Sequence, residues 1–154
     1  MRRGQSTAPS SGPAPAGGMA QRGNMAIALK RVYEPPSPED GCRILVERLW
    51  PRGLTRQGAV IDLWCKEVAP STELRRWFNH DSARWIEFQR RYVRELHDQA
   101  EALASIVQRA RVGPVTFVFA SREPVYNNAA ALKAFLEKTW DQWLAGSDTT
   151  DGGR

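Results

Sequence analysis

The sequence predicts one α/β domain, a three-layer sandwich in which helices flank a small, mostly parallel sheet. Two observations predict this class. Three short apolar runs, residues 26–33, 44–46 and 115–120, are bounded by turn residues and have the length expected of buried strands. The segments between and after these runs carry apolar residues at steps of three and four, a spacing typical of amphipathic helices.

The first run ends at Pro35-Pro36, and a single helical turn is predicted to follow it. Ser37 can cap that turn, Pro38 suits its first position, and the two acidic residues that follow favour the positive end of the helix dipole. Gly41 ends the turn, and the strand at residues 44–46 follows directly.

Two helical segments are predicted between the second and third apolar runs. Ser71 caps the first of them, which ends at a break in residues 79–82. The second is long and contains a bend, and it runs on to Arg111 before the Gly113-Pro114 pair stops it. Residues 60–64 are a short segment of mixed character to which no element is assigned.

The third run, residues 115–120, is apolar on both faces, as expected of a strand in a parallel sheet covered by helices. A final helix is predicted after it, capped by Asn127 or Asn128 and closing at Gly146.

The composition sets the domain boundaries. Residues 1–24 are rich in Gly, Ser, Pro, Ala and Gln and bury too little apolar surface to fold, so we predict a disordered extension there. The folded domain is predicted at 25–146, with a disordered tail at 147–154. Neither a signal peptide nor a membrane-spanning segment is recognisable, which predicts a cytoplasmic protein without membrane contact.

The charge of the chain gives weak support for an anionic partner. The formal net charge of the 154 residues is +5, but four of the arginines and two of the aspartates lie in the predicted disordered segments. The folded part therefore carries about +3, without a long run of basic residues. Nucleic acid is a weakly supported partner on this basis.

Metal and nucleotide motifs are not found in the sequence. The two histidines and two cysteines lack the spacing of a metal-ligand set, and Cys42 and Cys65 lie in apolar surroundings that predict buried, inert thiols. No glycine-rich phosphate loop is present, so the sequence assigns no cofactor.

Polar side chains that follow the predicted strands are the candidates for a ligand site. In open α/β sheets, ligands bind beyond the carboxyl ends of the strands, where these residues are expected to meet. Guanidinium groups there can hold a phosphate or carboxylate, and aromatic rings can stack on a ligand. The predicted ligand-binding residues are Tyr33, Arg48, Trp50, Arg52, Arg122, Asn127 and Asn128.

Glu47, His80 and Ser121 are the candidate catalytic residues at the same edge. Glu47 follows the second strand and Ser121 the third, while His80 lies at a break between helices and can act as an acid or base. No nucleophile-elbow motif surrounds Ser121.

Each candidate also has a structural interpretation that the sequence leaves open. Arg48 can pair with Glu47 at the strand end, and Trp50 can plug the end of the sheet. Ser121 can cap a turn, and the two asparagines, Asn127 and Asn128, can be ordinary helix caps.

Several motifs, taken in chain order, resemble the YeaO-like family, a bacterial domain of unknown function. The matching segments are Val32–Pro35, Asp40–Gly53, Trp64–Arg75, Phe78–His80, Phe119–Arg122 and Asn127–Ala129. The run Arg48-Leu49-Trp50-Pro51-Arg52-Gly53 is the most specific of them, and the resemblance covers nearly all of the chain from Met25 to Trp143. It implies a compact three-layer α/β domain in the cytoplasm, and it implies no activity. The family often has His at the position of Asn128, which speaks against a proton transfer by that residue.

Three hypotheses of function remain at this stage. The leading one is a site, with or without catalysis, for a small anionic ligand that carries a phosphate or carboxylate; nucleotide-like compounds are one class of such ligands. The second is a nucleic-acid or protein-binding module that uses the arginine-rich helices. The third is a purely structural Arg/Trp cluster, in which replacing Arg52 lowers stability. The arginines of the second hypothesis are Arg75, Arg76, Arg84, Arg90, Arg91 and Arg94.

Overall fold

The sheet has four parallel strands. A computed structural model describes residues 26–143 and 145, and the predicted extension at 1–24 and tail at 147–154 lie outside them. The strands are β1 (Ile27–Arg31), β2 (Cys42–Leu45), β3 (Leu63–Trp64) and β4 (Val115–Phe119), in the spatial order β1-β4-β2-β3. β4 is therefore central, and all five of its residues are buried. The predicted α/β class is confirmed.

β3 lies within the segment to which the sequence assigned no element. It is only two residues long and pairs with β2 through Ile44–Leu63 and Leu45–Trp64. A two-residue strand is too short to show an alternating pattern in its sequence. Pairing with β2, rather than its own sequence, therefore makes this segment a strand.

Five α-helices, a further short helical stretch at residues 140–143 and three short 3₁₀ turns are found in the described residues. The helices are α1 (Arg56–Ala59), α2 (Thr72–Phe78), α3 (Trp85–Leu96), α4 (Ala100–Val112) and α5 (Asn128–Lys138), and the turns are Pro38–Asp40, Lys66–Val68 and Ser82–Arg84. The predicted caps Ser37, Ser71 and Asn127 are confirmed, since each side chain accepts a hydrogen bond from the backbone N–H two or three residues later.

The predicted long helix is two helices, α3 and α4. Backbone hydrogen bonds spanning only three residues, from the N–H groups of Asp98 and Gln99, tighten the chain between them. The apolar spacing continues across this break, which explains why the sequence pattern did not reveal it. α5 ends at Lys138, and after a turn at Thr139 the backbone is helical again at 140–143. The predicted helix end at Gly146 lies outside the described residues.

Two apolar clusters lie on opposite faces of the sheet. The larger joins β1, β2 and β4 to α2, α3, α4 and α5, with Phe88, Tyr92, Phe117 and Leu132 nearly inaccessible. The smaller cluster, on the other face, is covered by the segment 50–61, which includes α1. The sheet is thus sandwiched between a thick helical layer and a thin one.

The amino end of the sheet contains a buried charge network that the sequence analysis did not anticipate. The guanidinium group of Arg43, 2% exposed, donates to the carboxylate of Asp40 at 2.7 Å and to the carbonyls of Ala59 and Val60 at 2.9 and 2.8 Å. Lys30 Nζ lies 3.1 Å from the same carboxylate. Polar groups therefore cluster at both ends of the strands, and those at the amino end fasten β2 to the segment 59–60.

Replacing Asp40 by Asn should lower the free energy of unfolding by about 3 kcal/mol at pH 7, because the buried Arg43 loses its charge partner. Burial by itself would raise the pKa of Asp40, but hydrogen bonds from Ser37 N–H, Lys30 and Arg43 outweigh it and hold that pKa below the ordinary 3.8. The ionised carboxylate therefore stabilises the fold above pH 3.8 and ceases to do so as the pH falls through its lowered pKa.

Urea denaturation at a series of pH values measures this effect. The difference between wild type and Asp40→Asn should shrink below pH 3.8. The control is Asp98→Asn, which removes an exposed carboxylate. An equal loss of stability in both variants would contradict the assignment.

Two backbone positions beside this network have positive φ. Gly41, at φ +63°, lies so close to β4 that a Cβ atom there would be 2.2 Å from the Pro114 carbonyl oxygen. Val60 has φ +51°, a conformation that costs a β-branched residue about 1–2 kcal/mol. The carbonyl of Val60 is one of those that Arg43 binds.

Gly41→Ala should destabilise the protein by several kcal/mol, because the left-handed backbone and the collision with Pro114 both oppose a side chain. Gly53 is the matched control: it has φ +77° but no heavy atom within 4 Å of the added Cβ. Gly53→Ala should therefore cost only about 1 kcal/mol. Thermal unfolding measures the stability of both variants. An equal loss of stability in the two would refute the packing argument.

Candidate functional site

A cavity of about 620 Å³ opens at the carboxyl ends of β2 and β4, beneath α2. It is the place where the sequence analysis expected the polar groups to meet. Its polar lining includes Glu47, Arg48, Thr72, Arg75, Arg76, Asn79, His80, Ser121 and Asn128. Five of the ten predicted site residues line this cavity.

Glu47 is a half-buried carboxylate in the wall of the cavity. Its Oε2 accepts a hydrogen bond from Ala120 N–H at 3.0 Å, and its backbone carbonyl accepts one from the indole of Trp64 at 2.7 Å. Burial raises the pKa of Glu47, although the Ala120 N–H and the charges of Arg75 and His80 act in the opposite direction. The neutral acid is therefore easier to reach here than at the protein surface.

Arg48 fastens the chain that leads into α2. Its Nη2 lies 3.1 Å from the Ala69 carbonyl, and its Nε and Nη2 lie 3.4 and 3.3 Å from that of Pro70. Within the described residues it forms no ion pair with Glu47, in contrast to the structural interpretation that the sequence left open. These bonds use Nε and Nη2, and no hydrogen bond of Nη1 is found within the described residues.

Arg75 and Arg76 bring two further positive charges to the cavity. Both lie on α2 and are exposed, and the charge of Arg75 is felt by Glu47. Among residues 26–143, neither side chain forms a hydrogen bond or ion pair. The cavity therefore has three guanidinium groups against a single carboxylate.

His80 and Ser121 come together on the rim of the cavity. Ser121 Oγ lies 3.4 Å from His80 Nε2, and His80 Nδ1 lies 3.1 Å from the carbonyl oxygen of Tyr126. Ser121 Oγ also accepts a hydrogen bond from Glu123 N–H at 2.9 Å, so it closes a turn as well. His80 and its neighbour Asn79 both have positive φ, 53° and 49°.

Asn128 connects α5 to the strand end. Its Nδ2 donates to the carbonyl oxygen of Val46 at 2.7 Å, which leaves the amide oxygen as the group available to the cavity. Asn127, by contrast, is fully buried and caps α5 through a hydrogen bond from Ala130 N–H at 2.8 Å. Its amide group donates to Glu123, so the capping interpretation accounts for both of its polar atoms.

Four other predicted residues lie at this edge but do not line the cavity. Tyr33 donates to the backbone carbonyl of Arg52 at 2.9 Å, and the side chains of Arg52 and Arg122 are exposed. Trp50 packs edge-on against Trp64 at 5.4 Å and donates to the Leu54 carbonyl. The structure gives Trp50 a packing role in the thin layer over the sheet, and the guanidinium group over its ring is that of Arg56.

Arg75 and Arg76 line the cavity but were not among the predicted site residues, although the sequence contained a signal for Arg75. Arg75 belongs to the matching segment Trp64–Arg75, but both arginines were grouped with the helical arginines of the alternative hypothesis. Their position becomes clear only when α2 is placed over the sheet, which depends on contacts far apart in the sequence.

A larger groove, of about 1120 Å³, lies between α3, α4 and α5. Its lining is mostly apolar, and it contains none of the predicted site residues. His97 is in its wall, with its ring edge-on to Phe135 at 6.3 Å. The smaller cavity is the better candidate for chemistry because polar groups from four separate segments meet there.

The described residues contain no group of three His, Cys, Asp or Glu side chains suited to a metal ion. Cys65 is buried, and burial raises the pKa of its thiol to about 11, so the thiol stays protonated. Of the helices in the described part of the chain, none has the length and apolarity needed to cross a membrane.

The family of the chain follows from sequence comparisons. The sequence model described as "Inactive DUF488-N3 subclade" matches residues 26–151. The chain is 37% identical to the uncharacterized protein YeaO of Escherichia coli over 112 residues, which are 73% of this chain and 97% of that protein. The chain belongs to the YeaO-like DUF488 family.

Two mycobacterial proteins are more similar in sequence. The uncharacterized proteins Rv3073c of Mycobacterium tuberculosis and Mb3100c of Mycobacterium bovis are each 44% identical over 110 residues, 71% of this chain and 92% of theirs. No solved structure matches the chain with significance.

The YeaO-like motifs divide between the two ends of the sheet. Asp40 and Arg43 belong to the buried network at the amino end and Gly41 lies beside it, whereas Glu47 and Arg48 line the cavity at the carboxyl end. One part of the family pattern therefore contacts the buried charge network, and another part lines the candidate cavity.

Replacing Glu47 by Gln should make the protein relatively more stable as the pH rises. Because the pKa of Glu47 is raised in the folded protein, the stabilising protonated form is fully present below the ordinary 4.5 and is lost as the pH rises through the raised pKa. Gln can still accept the hydrogen bond from Ala120 N–H and does not ionise.

The measurement is the difference in melting temperature between Glu47→Gln and wild type from pH 4 to pH 8, with Glu67→Gln as an exposed control. The difference should move in favour of Glu47→Gln over this range. A difference that is constant with pH, or that moves the other way, would show that Glu47 ionises as freely as a surface carboxylate.

Proposed function

We propose that the cavity binds a small anionic ligand that carries a phosphate or carboxylate group. The observation that carries this proposal is the set of three guanidinium groups, Arg48, Arg75 and Arg76, around a single raised-pKa carboxylate, Glu47. Arginine recognises both kinds of anion through paired N–H donors. A volume of about 620 Å³ is within the range of small-molecule pockets and can take a nucleotide-like compound.

Each wall of the cavity supplies a different contact. Arg75 and Arg76 approach from α2, and Arg48 approaches from the end of β2. The side-chain oxygen of Asn128 and the carboxylate of Glu47 accept hydrogen bonds, so they suit hydroxyl or amino groups on the ligand. Leu49, 70% exposed at the entrance, adds an apolar surface against which a ring can lie.

The description of the matching subclade as inactive favours binding over catalysis as the main role of this cavity. A site that retains its anion-binding arginines can serve as a sensor or a carrier of its ligand. Two reduced cysteines, Cys42 and Cys65, fit the cytoplasm, where we propose that the protein acts.

Nucleic-acid binding by the arginine-rich helices has less support. Arg84 and Arg91 lie over the ring of Trp77 at 5.2 and 4.1 Å, and Arg91 also pairs with Glu87 at 2.9 Å. Arg90 lies 3.6 Å from the same carboxylate. These contacts engage three of the six arginines of this hypothesis with Trp77 and Glu87, so only part of the positive surface is left for phosphates.

Thermal unfolding with inorganic phosphate, citrate and a nucleoside monophosphate tests the proposal, with sodium chloride at equal ionic strength as the reference. An anion at one hundred times its dissociation constant stabilises the folded state by about 2.7 kcal/mol. Arg75→Ala and Arg76→Ala should each reduce this stabilisation, because each removes a donor from the cavity.

Two sets of variants make the test specific. Arg94→Ala, on α3 outside the cavity, should keep the full ligand effect. Arg52→Ala and Arg122→Ala test whether the ligand site extends beyond the cavity. The site predicted from the sequence includes both arginines, so it requires that each variant loses binding. If no anion stabilises wild type more than sodium chloride does, the proposal is wrong. Retention on nucleic acid that falls steeply with salt would favour the alternative.

A further inference from the structure

The groove of about 1120 Å³ between α3, α4 and α5 has an apolar interior. Tyr92, Leu96 and Leu103 line it and are nearly inaccessible, because they also belong to the larger apolar cluster under the sheet. Two further lining residues, Ala104 on α4 and Ala134 on α5, are exposed. Their small side chains leave the space between the two helices unfilled, so the groove reaches from the surface down to the core.

Two aromatic side chains form an apolar wall of this groove. Trp143 Nε1 donates to Thr139 Oγ1 at 3.0 Å, and this hydroxyl donates to the Phe135 carbonyl at 2.8 Å. The polar atom of the indole is therefore already bonded, and its rings offer apolar surface. The ring of Phe135 also lines the groove. A ligand that enters between the helices thus meets apolar surface that is positioned in advance.

The charged groups that line the groove are all basic. They are the exposed side chains of Arg90, Arg94 and Lys138, with His97 beside them, and the lining contains neither Asp nor Glu. Arg90 lies 3.6 Å from the carboxylate of Glu87. Among residues 26–143, Arg94 and Lys138 form no ion pair. An apolar groove with unpaired cations at its edge is complementary to a molecule that has a hydrocarbon part and an anionic end.

We infer that this groove binds a long-chain carboxylate, a fatty acid, with Arg94 and Lys138 next to its carboxylate group. Removal of the hydrocarbon chain from water supplies most of the affinity, and the cations select an anionic head group. The site is separate from the anion cavity at the carboxyl edge of the sheet, since the two share no lining residue. The inference therefore stands independently of the proposed function.

A broad partner surface fits the groove less well than a single hydrocarbon chain does. Of the large apolar side chains that are exposed in the described residues, only Ile86 lines the groove. A protein or membrane partner needs apolar surface around the groove as well as inside it, whereas a single chain needs only the interior. A second copy of this chain would bring two basic edges together, and like charges oppose such a contact.

Isothermal titration of the full chain with sodium laurate, below its critical micelle concentration, tests the inference. Wild type should bind laurate and bind butyrate far more weakly, because each buried methylene group changes the affinity by up to about fourfold. Dodecyltrimethylammonium has a chain of the same length and a cationic head, and it should bind more weakly than laurate. Absence of laurate binding, or equal binding of the two twelve-carbon compounds, would overturn the inference.

Reversal of charge at the edge of the groove tests the head-group contact. Arg94→Glu combined with Lys138→Glu should weaken laurate binding by on the order of tenfold, because two attractive contacts become repulsive. The same variant should bind dodecyltrimethylammonium more tightly than wild type does. Arg109→Glu is the control, since Arg109 is exposed on α4 and does not line the groove. A loss of laurate binding as large in the control would show that net charge alone acts, and would overturn the inference.

Filling of the groove tests where the hydrocarbon chain lies. Ala104→Phe and Ala134→Phe replace exposed alanines, so the added ring enters the groove and the melting temperature should hold while laurate binding is lost. Ser105→Phe, at an exposed position of α4 outside the groove, should keep laurate binding. Unchanged laurate affinity in both alanine variants would overturn the inference. Binding to phosphatidylglycerol vesicles without binding of free laurate would overturn it in favour of membrane contact.

Discussion

Glu47 connects the carboxyl ends of three neighbouring strands, and the cavity depends on this connection. Its backbone carbonyl binds the indole of Trp64 at the end of β3, and its side chain binds the backbone N–H of Ala120 just after β4. Burying a carboxylate costs free energy unless it is hydrogen-bonded. The bond to Ala120 N–H therefore strongly favours one arrangement of the ends of β2 and β4 relative to each other. This arrangement turns the chain beyond β2 so that Arg48 enters the cavity from one side while Ser121 reaches its rim from the other.

The helical layer is positioned by a second set of polar contacts just before α2. The Tyr92 hydroxyl donates to the Val68 carbonyl, and the carboxylate of Glu95 accepts from Ser71 at both its N–H and its hydroxyl. Arg48 binds the two carbonyls in between, those of Ala69 and Pro70. Groups from α3 and from the end of β2 thus hold the same four residues, 68–71. These contacts fix α2, which covers the cavity, relative to the end of the sheet.

The sequence revealed those features that depend on local chemistry. Strands such as Val115–Phe119 are recognisable because they are continuous apolar runs, and caps such as Ser71 act on the next turn of their own helix. From the rule that ligands bind at the carboxyl edge of a parallel sheet, the sequence analysis expected Glu47, Arg48 and Ser121 to lie close together. In the structure all three line one cavity.

Features that depend on tertiary packing were not recognisable. The two-residue strand β3 exists because of its partner β2, and Arg43 is buried because Asp40 and two carbonyls surround it. Arg75 belongs to a segment that matches the family, but the sequence does not show that it faces a cavity; only the placement of α2 over the sheet does. An indole after a strand has two uses, stacking on a ligand or packing on the chain itself, and the sequence left both open for Trp50. In the structure its ring packs edge-on against Trp64.

The left-handed backbone of Val60 also bears on how this protein tolerates change. In this strained conformation the Val60 carbonyl oxygen accepts a hydrogen bond from Arg43. That hydrogen bond involves no side-chain atom of Val60. Asn or Gly would adopt the same dihedral angles at lower cost and keep the carbonyl in place. Such a replacement should raise the stability of the fold at a position remote from the catalytic and binding candidates. A more stable protein tolerates substitutions at the carboxyl edge that would otherwise unfold it.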